Sequence, residues 1–315
     1  MRAIFLLVAT GLLAIVAPIL APHDPTTQFA DKAYAPPTRI HLRDATGFRA
    51  PFFYKQTLVN RLAREYADDT SAPISLRWFS GGRVATSGDS TEPVLLLGAD
   101  ALGRDVFSRL VSGARWSLGV TALGVLGALL VGILVGGLAG TAGGRVDSML
   151  MGASNWLLAM PGAYLVLVLR GALPLVLTTG ETFALISILF TVATWPHVAR
   201  GVRGIVAAER AREYAEAARA SGAGLWRLMS QLLPAARGFL AVETVLLVPA
   251  LLVAEATVSY LSLGFPDASA SWGTLLQDVN VRVMSEAPWM LAPAAGIFAA
   301  TLIAQAAGAR VPQRA

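Results

Sequence analysis

Residues 116–139 read WSLGVTALGVLGALLVGILVGGLA, a run without a charged side chain. A helix needs roughly 20 apolar residues to cross the hydrocarbon of a bilayer, and this run is long enough. Five further apolar runs lie at residues 3–21, 148–169, 182–199, 239–262 and 288–306. Hydrophobic residues make up 55% of the chain, charged residues 14%, and the mean hydropathy is +0.60. The sequence therefore predicts an all-α membrane protein with about six transmembrane helices.

The first apolar run admits two interpretations. Arg2 and the small residues near Ala21 fit a secretory signal, whereas the length of the run favours an uncleaved helix. We expect the uncleaved helix. The chain then divides into a first transmembrane helix at 1–21, an external segment with an interfacial helix at 22–115, and a five-helix core at 116–315.

Arginines near the ends of the runs predict the orientation, because short cytoplasmic loops carry the excess of Arg and Lys. With the amino terminus inside, the short outer loops hold only Arg170 and Arg282, and residues 22–115 form a loop too long for the rule. The inner segments hold Arg2, Arg145, Arg200, Arg203, Arg210, Arg212, Arg219, Arg227, Arg237, Arg310 and Arg314. Both termini and the loop 200–238 are therefore expected in the cytoplasm. The net charge of +5 reflects this asymmetry rather than nucleic-acid binding.

The stretch Glu213-Tyr-Ala-Glu-Ala-Ala-Arg-Ala-Ser-Gly222 lies in this inner loop and is typical of a short Ala-rich helix ended by glycine. Arg212 and Glu216 are spaced i,i+4, and Glu216 and Arg219 are spaced i,i+3, which supports a helix by a few tenths of a kcal/mol per pair. Gly222 is expected to adopt the left-handed conformation that ends the helix. The alanines would allow close approach to a groove in a partner; an ordinary amphipathic loop helix is the alternative.

Glu216, Ala217, Ala218 and Gly222, with Leu232-Leu-Pro234 after them, resemble the EAA loop of ABC importer permeases. Those subunits insert this loop into a groove on their ATPase. Three further blocks, in family order, resemble the dipeptide/oligopeptide/nickel type of permease; they begin at Ala17-Pro-Ile-Leu-Ala-Pro, Leu97-Gly-Ala-Asp-Ala-Leu-Gly-Arg-Asp and Glu255-Ala-Thr-Val-Ser-Tyr. One departure is that the Leu-Pro pair follows Gly222 one residue earlier than in the family pattern.

The resemblance implies a multi-pass permease subunit of the bacterial inner membrane. It would form half of the transmembrane pathway for a di- or oligopeptide, a nickel chelate or a similar small solute. The implied partners are a second, similar permease subunit, two cytoplasmic ABC ATPases, an external substrate-binding protein and the lipid bilayer. The residues expected to couple the chain to the ATPase are Arg212, Glu213, Tyr214, Glu216, Ala217, Ala218 and Gly222.

Enzyme chemistry is not expected of this chain. Cysteine is absent, which removes disulfides and thiolate nucleophiles. The motif G-x-x-x-x-G-K-[ST] is also absent, because Lys32 and Lys55 are the only lysines and neither follows a Gly-rich loop. His23, His41 and His197 show no metal-ligand spacing. We therefore expect no catalytic residue, metal or cofactor, with ATP and Mg bound by the partner ATPases.

Glu255 is a costly residue, because a carboxylate inside the bilayer costs at least about 2–3 kcal/mol unless it is paired, hydrated or protonated. Two interpretations stay open: a pathway or gate residue, or a hydrogen-bonding residue that holds the fifth helix. A proton-coupled secondary transporter using Glu255 is an alternative function. It should show repeated halves, and the sequence shows no convincing repeat. A membrane scaffold or receptor subunit is the third class.

The external segment 22–97 is mixed in charge and contains the aromatic clusters Phe52-Phe-Tyr54 and Trp78-Phe79. These features predict a small ordered cap, which acts either as a lid on the outer helix ends or as a contact for the delivery protein. Alternation in Ile74-Ser-Leu-Arg-Trp78 predicts a strand that enters a turn.

The segment that follows the cap contains two charge pairs at i,i+4 spacing. Asp100 precedes Arg104, and Asp105 precedes Arg109. Together with the apolar residues between them, these pairs predict an interfacial helix leading into the membrane. An anchoring role and a gating role both remain open for these four residues.

Overall fold

The computed structural model of the chain describes residues 16, 19–44, 47–61, 64–80, 83–89, 92–160 and 177–308. The two termini, most of the first apolar run and the end of the third lie outside these residues. The described chain divides into two compact units. One unit contains residues 120–255 and 300–308, and the other contains the residues up to 119 together with 256–299.

Four helices in the described residues are long and apolar enough to cross a membrane: Val106–Ala142, Thr179–Arg210, Leu225–Tyr260 and Pro288–Ala306. These helices account for the runs predicted at 116–139, 182–199, 239–262 and 288–306, of which the third extends two residues past its helix. The predicted total of six also includes the runs 3–21 and 148–169, each of which lies partly outside the described residues.

The helices are α1 (Val106–Ala142), α2 (Gly144–Ala159), α3 (Thr179–Arg210), α4 (Glu213–Ala220), α5 (Leu225–Leu232), α6 (Arg237–Tyr260), α7 (Trp272–Leu275), α8 (Val281–Glu286) and α9 (Ala292–Gly308). Short 3₁₀ turns cover Ala30–Lys32, Leu233–Ala236, Asp267–Ser269 and Pro288–Leu291. The second of these turns joins α5 to α6, so that the two helices form one membrane-length span.

Helices α1 and α3 pack closely along a row of glycines. Gly132, Gly136 and Gly140 are spaced by four and therefore share one face of α1. A Cβ atom on Gly136 would lie 2.3 Å from the carbonyl oxygen of Ala199, and Cβ atoms on Gly132 and Gly140 would lie 2.5 and 2.8 Å from valine side chains of α3. Small residues let membrane helices approach through their backbones, so this row fixes α3 against α1.

Polar contacts position α3 at both of its ends. At the start, Thr178 and Glu181 form a capping box, in which the Thr178 backbone N–H donates to the Glu181 carboxylate at 2.8 Å. Toward the other end, Nε of Arg203 donates to Oδ1 of Asp147 at 2.9 Å. The hydrogen bond from Arg203 lowers the pKa of Asp147. This pair connects α2 to the part of α3 that leads toward α4.

The segment before α1 contains a four-stranded antiparallel sheet, which corrects the predicted all-α class. Its strands are β1 (His41–Asp44), β2 (Gly47–Asn60), β3 (Glu65–Ser80) and β4 (Arg83–Ser87), in the order β1-β2-β3-β4. The strand predicted at Ile74–Trp78 is part of β3. The sheet buries Phe53 and Leu76 against Val94, and this contact gives the segment before α1 a core of its own.

Both lysines of the chain bind one carboxylate in this segment. Nζ of Lys32 lies 2.8 Å from Oε2 of Glu92, and Nζ of Lys55 lies 2.8 Å from Oε1. Lys32 and Glu92 are buried, and Lys32 also donates to the backbone carbonyl of Gln56 at 2.5 Å. A buried charge pair needs such additional hydrogen bonds to offset its desolvation. The cluster ties β2 to the chain that leads toward α1.

Candidate functional site

Helix α4 ends in a Schellman motif built on Gly222. The residue has φ +78°, and its N–H donates to the carbonyl of Arg219 at 3.0 Å. The next N–H, that of Ala223, donates to the carbonyl of Ala218 at 3.0 Å. These two bonds satisfy carbonyls that a helix end otherwise leaves open. The left-handed conformation predicted for Gly222 is therefore present, and α4 has a fixed end.

The start of α4 is held by Glu209, a residue that the sequence did not single out. The Tyr214 hydroxyl donates to Oε2 of Glu209 at 2.7 Å, and the Arg212 guanidinium lies 3.1 Å from Oε1. The hydrogen bond to Glu209 raises the pKa of Tyr214. Arg212 therefore pairs with Glu209 rather than with Glu216 as predicted, because Arg212 precedes the helix and has extended backbone angles.

Only one side of α4 packs against the protein. Ala215 is fully buried, whereas Glu213, Glu216 and Ala217 are exposed. The predicted i,i+3 pair is present, with 3.7 Å between Glu216 and Arg219. An exposed pair of this kind is worth less than about 1 kcal/mol. The helix therefore owes its position to its two ends, and its outer side stays open to solvent.

Helix α5 also has one buried and one exposed side. Its inner side buries Leu228, Met229 and Leu232 at i, i+1 and i+4 spacing. On the outer side Trp226 is 61% exposed, and Leu225 is also exposed. Large exposed aromatic side chains are typical of protein interfaces. The exposed side of α4 together with Leu225 and Trp226 is called the inner-loop surface below.

The chain leaves α5 through the 3₁₀ turn Leu233–Ala236, which contains Pro234. Four residues in a 3₁₀ turn rotate the chain by about 480°, compared with about 400° in an α-helix. The turn therefore rotates α6 relative to α5 by about 80° more than a continuous α-helix would.

The four charged residues predicted as an interfacial helix lie in a turn and in the first helical turn of α1. The Asp100 carboxylate accepts the N–H groups of Leu102 and Arg104, each at 2.9 Å. Gly103 has φ +73°, and a Cβ atom there would lie 2.1 Å from the carbonyl oxygen of Phe29. The segment 100–104 is therefore a tight turn, and the prediction of a helix over it is wrong. The predicted Asp100–Arg104 pair is present at 2.7 Å.

Arg109 does not pair with Asp105 as predicted. Asp105 caps α1 by accepting the N–H groups of Phe107 and Ser108 at 3.1 and 3.2 Å, and burial raises the pKa of Asp105 to about 6. Arg109 is 1% exposed, and its guanidinium donates to Oδ1 of Asp267 at 2.6 Å. Arg104 binds the same carboxylate, so two buried guanidiniums hold the loop after α6.

The two arginines lower the pKa of Asp267. Burial raises the pKa, but the hydrogen bond from Arg104 and the positive charge of Arg109 outweigh it and hold the pKa below 3.8. Asp267 is therefore ionised and binds two cations at neutral pH. No sequence signal pointed to Asp267, because it lies 158 residues after Arg109 in the chain.

Glu255 lies on α6 and is completely buried, at 0% exposure. The carboxylate is therefore enclosed by protein, and this burial leaves both interpretations of its role open. Among the described residues, no group of three or more His, Cys, Asp or Glu side chains is placed to hold a metal ion.

Residues 132–315 match a family described as binding-protein-dependent transport system inner membrane component. The chain is 36% identical to the oligopeptide transport system permease protein OppC of Bacillus subtilis over 65% of each chain. It is 35% identical to the nickel transport system permease protein NikC of Escherichia coli K12, over 64% of this chain and 71% of the relative. The di/tripeptide transport system permease protein DppC of Pseudomonas aeruginosa is 30% identical over 90% of this chain and 76% of the relative.

Proposed function

Because the chain belongs to the family of inner membrane components of binding-protein-dependent transport systems, we propose that it is the permease subunit of an ATP-driven importer. It forms half of a transmembrane pathway, with a second permease subunit as the other half. Two cytoplasmic ABC ATPases bind ATP and Mg and drive the cycle, and an external binding protein delivers the solute. The names of the relatives favour a di- or oligopeptide, or a nickel chelate, as that solute.

The inner-loop surface is the single observation that carries this proposal. A helix that transmits force between proteins must have fixed ends and an open outer side. The carboxylate of Glu209 holds the start of α4, the Schellman motif at Gly222 holds its end, and the exposed outer side carries Glu213, Glu216 and Ala217. We propose that Arg212, Glu213, Tyr214, Glu216, Ala217, Ala218 and Gly222 couple the permease to its ATPase, with Trp226 as an added anchor.

Transport measured in proteoliposomes tests the whole assignment. The permease pair, the ATPases and the binding protein are reconstituted together, and uptake of di- and tripeptides and of nickel chelates is followed. An importer requires both ATP and the binding protein. Uptake driven by a proton gradient without ATP would instead support secondary transport through Glu255. Failure to co-purify any ATPase with the tagged permease would support the scaffold or receptor function.

Charge reversal at Glu216 tests the coupling surface. Glu216 is exposed, so Glu216→Lys should insert and fold normally but should repel a basic rim on the ATPase groove. We expect less co-purified ATPase, or ATP hydrolysis that no longer drives uptake. Glu216→Gln is the matched control, because it removes the charge without reversing it. Wild-type binding and uptake in the Lys variant would refute a role for this helix in coupling.

Truncation of Trp226 tests the aromatic anchor separately. Trp226→Ala removes exposed apolar surface without opening a cavity, so folding should be unaffected while ATPase binding weakens by 1 kcal/mol or more, about fivefold in affinity. Trp226→Phe keeps an aromatic ring and should retain most of the binding. Equal ATPase affinity in all three proteins would exclude Trp226 from the interface.

The proposed topology has six transmembrane helices and both termini in the cytoplasm, supported by the arginine-rich inner loops. Single cysteines can report on it because the chain has none. A cysteine in place of Ser221, at the end of α4, should resist impermeant thiol reagents added outside intact cells. A cysteine in place of Ser87, at the end of β4, should react. Reaction of the first from outside would reverse the orientation.

A further inference from the structure

The β-sheet has one end that is aromatic and open to solvent. Because the strands are antiparallel and sequential, the end of β1, the start of β2, the end of β3 and the start of β4 lie at one end of the sheet. These strand ends are called the sheet tip below. Phe48 is 85% exposed and Phe79 is 81% exposed at this tip, and Trp78 beside them is also exposed. Exposed aromatic side chains gathered at one end of a domain mark a contact surface.

The charges of the sheet are separated between its two ends. The strand residues near the tip include Arg43, Arg49, Arg77 and Arg83, with Asp44 as the acidic residue. The opposite end, around the β2–β3 turn, contains Glu65, Asp68 and Asp69 as well as Arg61 and Arg64. The tip is therefore positively charged as well as aromatic. The Arg43 guanidinium also lies over the ring of Phe48, 5.8 Å from its centroid.

Phe79 adopts a costly backbone conformation. Its φ is +53°, in the left-handed region that bulky residues rarely enter because the conformation is strained. The exposed ring gains little burial within the chain to offset that cost. A strained, exposed aromatic residue is expected where its ring is buried by a partner.

The tip is tied to the place where the first apolar run ends. The Arg83 guanidinium donates to the carbonyl oxygen of Pro22 at 2.6 Å, and Pro22 directly follows the run 3–21. The N–H of His23 donates to Oγ of Ser108 at 2.9 Å, in the first turn of α1. The tip is thus attached where the chain leaves the first apolar run, which is where a membrane surface would lie.

We propose that the sheet tip binds the membrane surface itself, with the aromatic rings in the interfacial layer and the arginines on anionic phospholipid headgroups. Aromatic side chains favour the boundary between headgroups and acyl chains, and arginines near an anionic surface are attracted to it. A basic and aromatic composition matches this lipid surface, and the attachment at Pro22 brings the tip to it. The inference rests on the proposed function for one point, that the sheet lies on the external side.

Site-directed spin labelling of the complete permease in proteoliposomes tests this inference. Phe79→Cys and Phe48→Cys place a label at the tip, and Ser71→Cys places a control label in the exposed middle of the sheet's longest strand. The vesicles contain phosphatidylglycerol, or phosphatidylcholine alone. We expect the tip labels to be more accessible to oxygen than to a water-soluble nickel complex in the anionic vesicles only, and the Ser71 label to be water-accessible in both.

A charge variant measures the electrostatic contribution to binding of the tip at the membrane surface. Each arginine near an anionic surface contributes about 1 kcal/mol. Arg77→Gln should therefore lower the ratio of membrane-bound to free label at position 79 by about fivefold, because 1 kcal/mol corresponds to that ratio at 25 °C. Arg61→Gln, the same change at the opposite end of the sheet, should leave the ratio unchanged.

Two results would overturn the inference. Tip labels that stay water-accessible in anionic vesicles would show that the tip does not reach the lipid. Tip labels protected only after the binding protein is added would make the tip a protein contact. ATP-dependent uptake in the same vesicles keeps the two proposals apart, because loss of uptake with lipid-bound labels would contradict the importer function alone.

Discussion

Substitution of Gly222 tests whether the fixed end of α4 is needed for coupling. A Cβ atom at this position would meet nothing within 4 Å, so the cost of Gly222→Ala is set by the backbone conformation alone. At φ +78° an L-residue pays about 1–2 kcal/mol. Gly222→Val should cost more because a β-branched side chain is further restricted, and Gly222→Asn less because Asn tolerates this region.

That cost predicts a measurable local opening. The Schellman motif should open about 5 to 30 times more often in Gly222→Ala, the ratio that corresponds to 1–2 kcal/mol. The amide hydrogens of Gly222 and Ala223, which donate to Arg219 and Ala218, should exchange with solvent deuterium faster by the same factor. Hydrogen exchange followed by mass spectrometry of the 213–224 segment measures this, and ATPase co-purification measures the consequence.

Gly204→Ala is the matched control, because Gly204 lies inside α3 and a Cβ atom there also meets nothing within 4 Å. Inside a helix this change should stabilise the protein by about 0.5–1 kcal/mol, whereas Gly222→Ala should destabilise the end of α4. If Gly222→Ala exchanged at the wild-type rate, the reasoning from the left-handed conformation would be refuted. Faster exchange with unchanged ATPase binding would show that the motif is not needed for docking.

Three further predictions concern the membrane helices and the start of α1. Gly136→Val should destabilise the detergent-solubilised protein by about 1–3 kcal/mol through the clash with α3. Gly152→Val should not, because a Cβ atom there meets nothing within 4 Å. Equal melting temperatures for the two variants would contradict the close packing of α1 against α3. Burial raises the pKa of Asp105 to about 6, so the folded state retains a proton that the unfolded state loses near pH 4. The free energy of unfolding therefore falls by up to about 3 kcal/mol as the pH rises from 4 to 6. Asp105→Asn should remove this fall in thermal unfolding curves, and an unchanged pH profile would count against it. If Glu255 lines the pathway, Glu255→Gln should preserve assembly and alter uptake. If Glu255 instead holds its helix by a hydrogen bond, Glu255→Ala should lower the yield of the complex, and Glu255→Gln should leave both yield and uptake unchanged.

Local patterns in the sequence were enough to predict four of the membrane-length helices, the strand in β3 and the end of α4. Each depends on interactions within a few residues. Apolar runs of roughly 20 residues form helices in a bilayer because their backbone groups must bond within the segment. Gly222 ends α4 because glycine adopts positive φ at little cost. The Asp100–Arg104 pair was predicted from helical spacing but forms in a tight turn. Family membership followed from short blocks of the same local kind.

The long-range partners could be found only from the folded chain. Arg109 binds Asp267, 158 residues away, and so does not pair with Asp105, because the acceptor that is buried with a guanidinium depends on how distant loops pack. The same holds for Lys32 with Glu92, and for the glycine row of α1 against Ala199 of α3. Side chains exchange a local partner for a distant one whenever burial makes the distant hydrogen bond stronger. Spacing in the sequence predicts local pairs, and the packing of the folded chain decides whether a local or a distant pair forms.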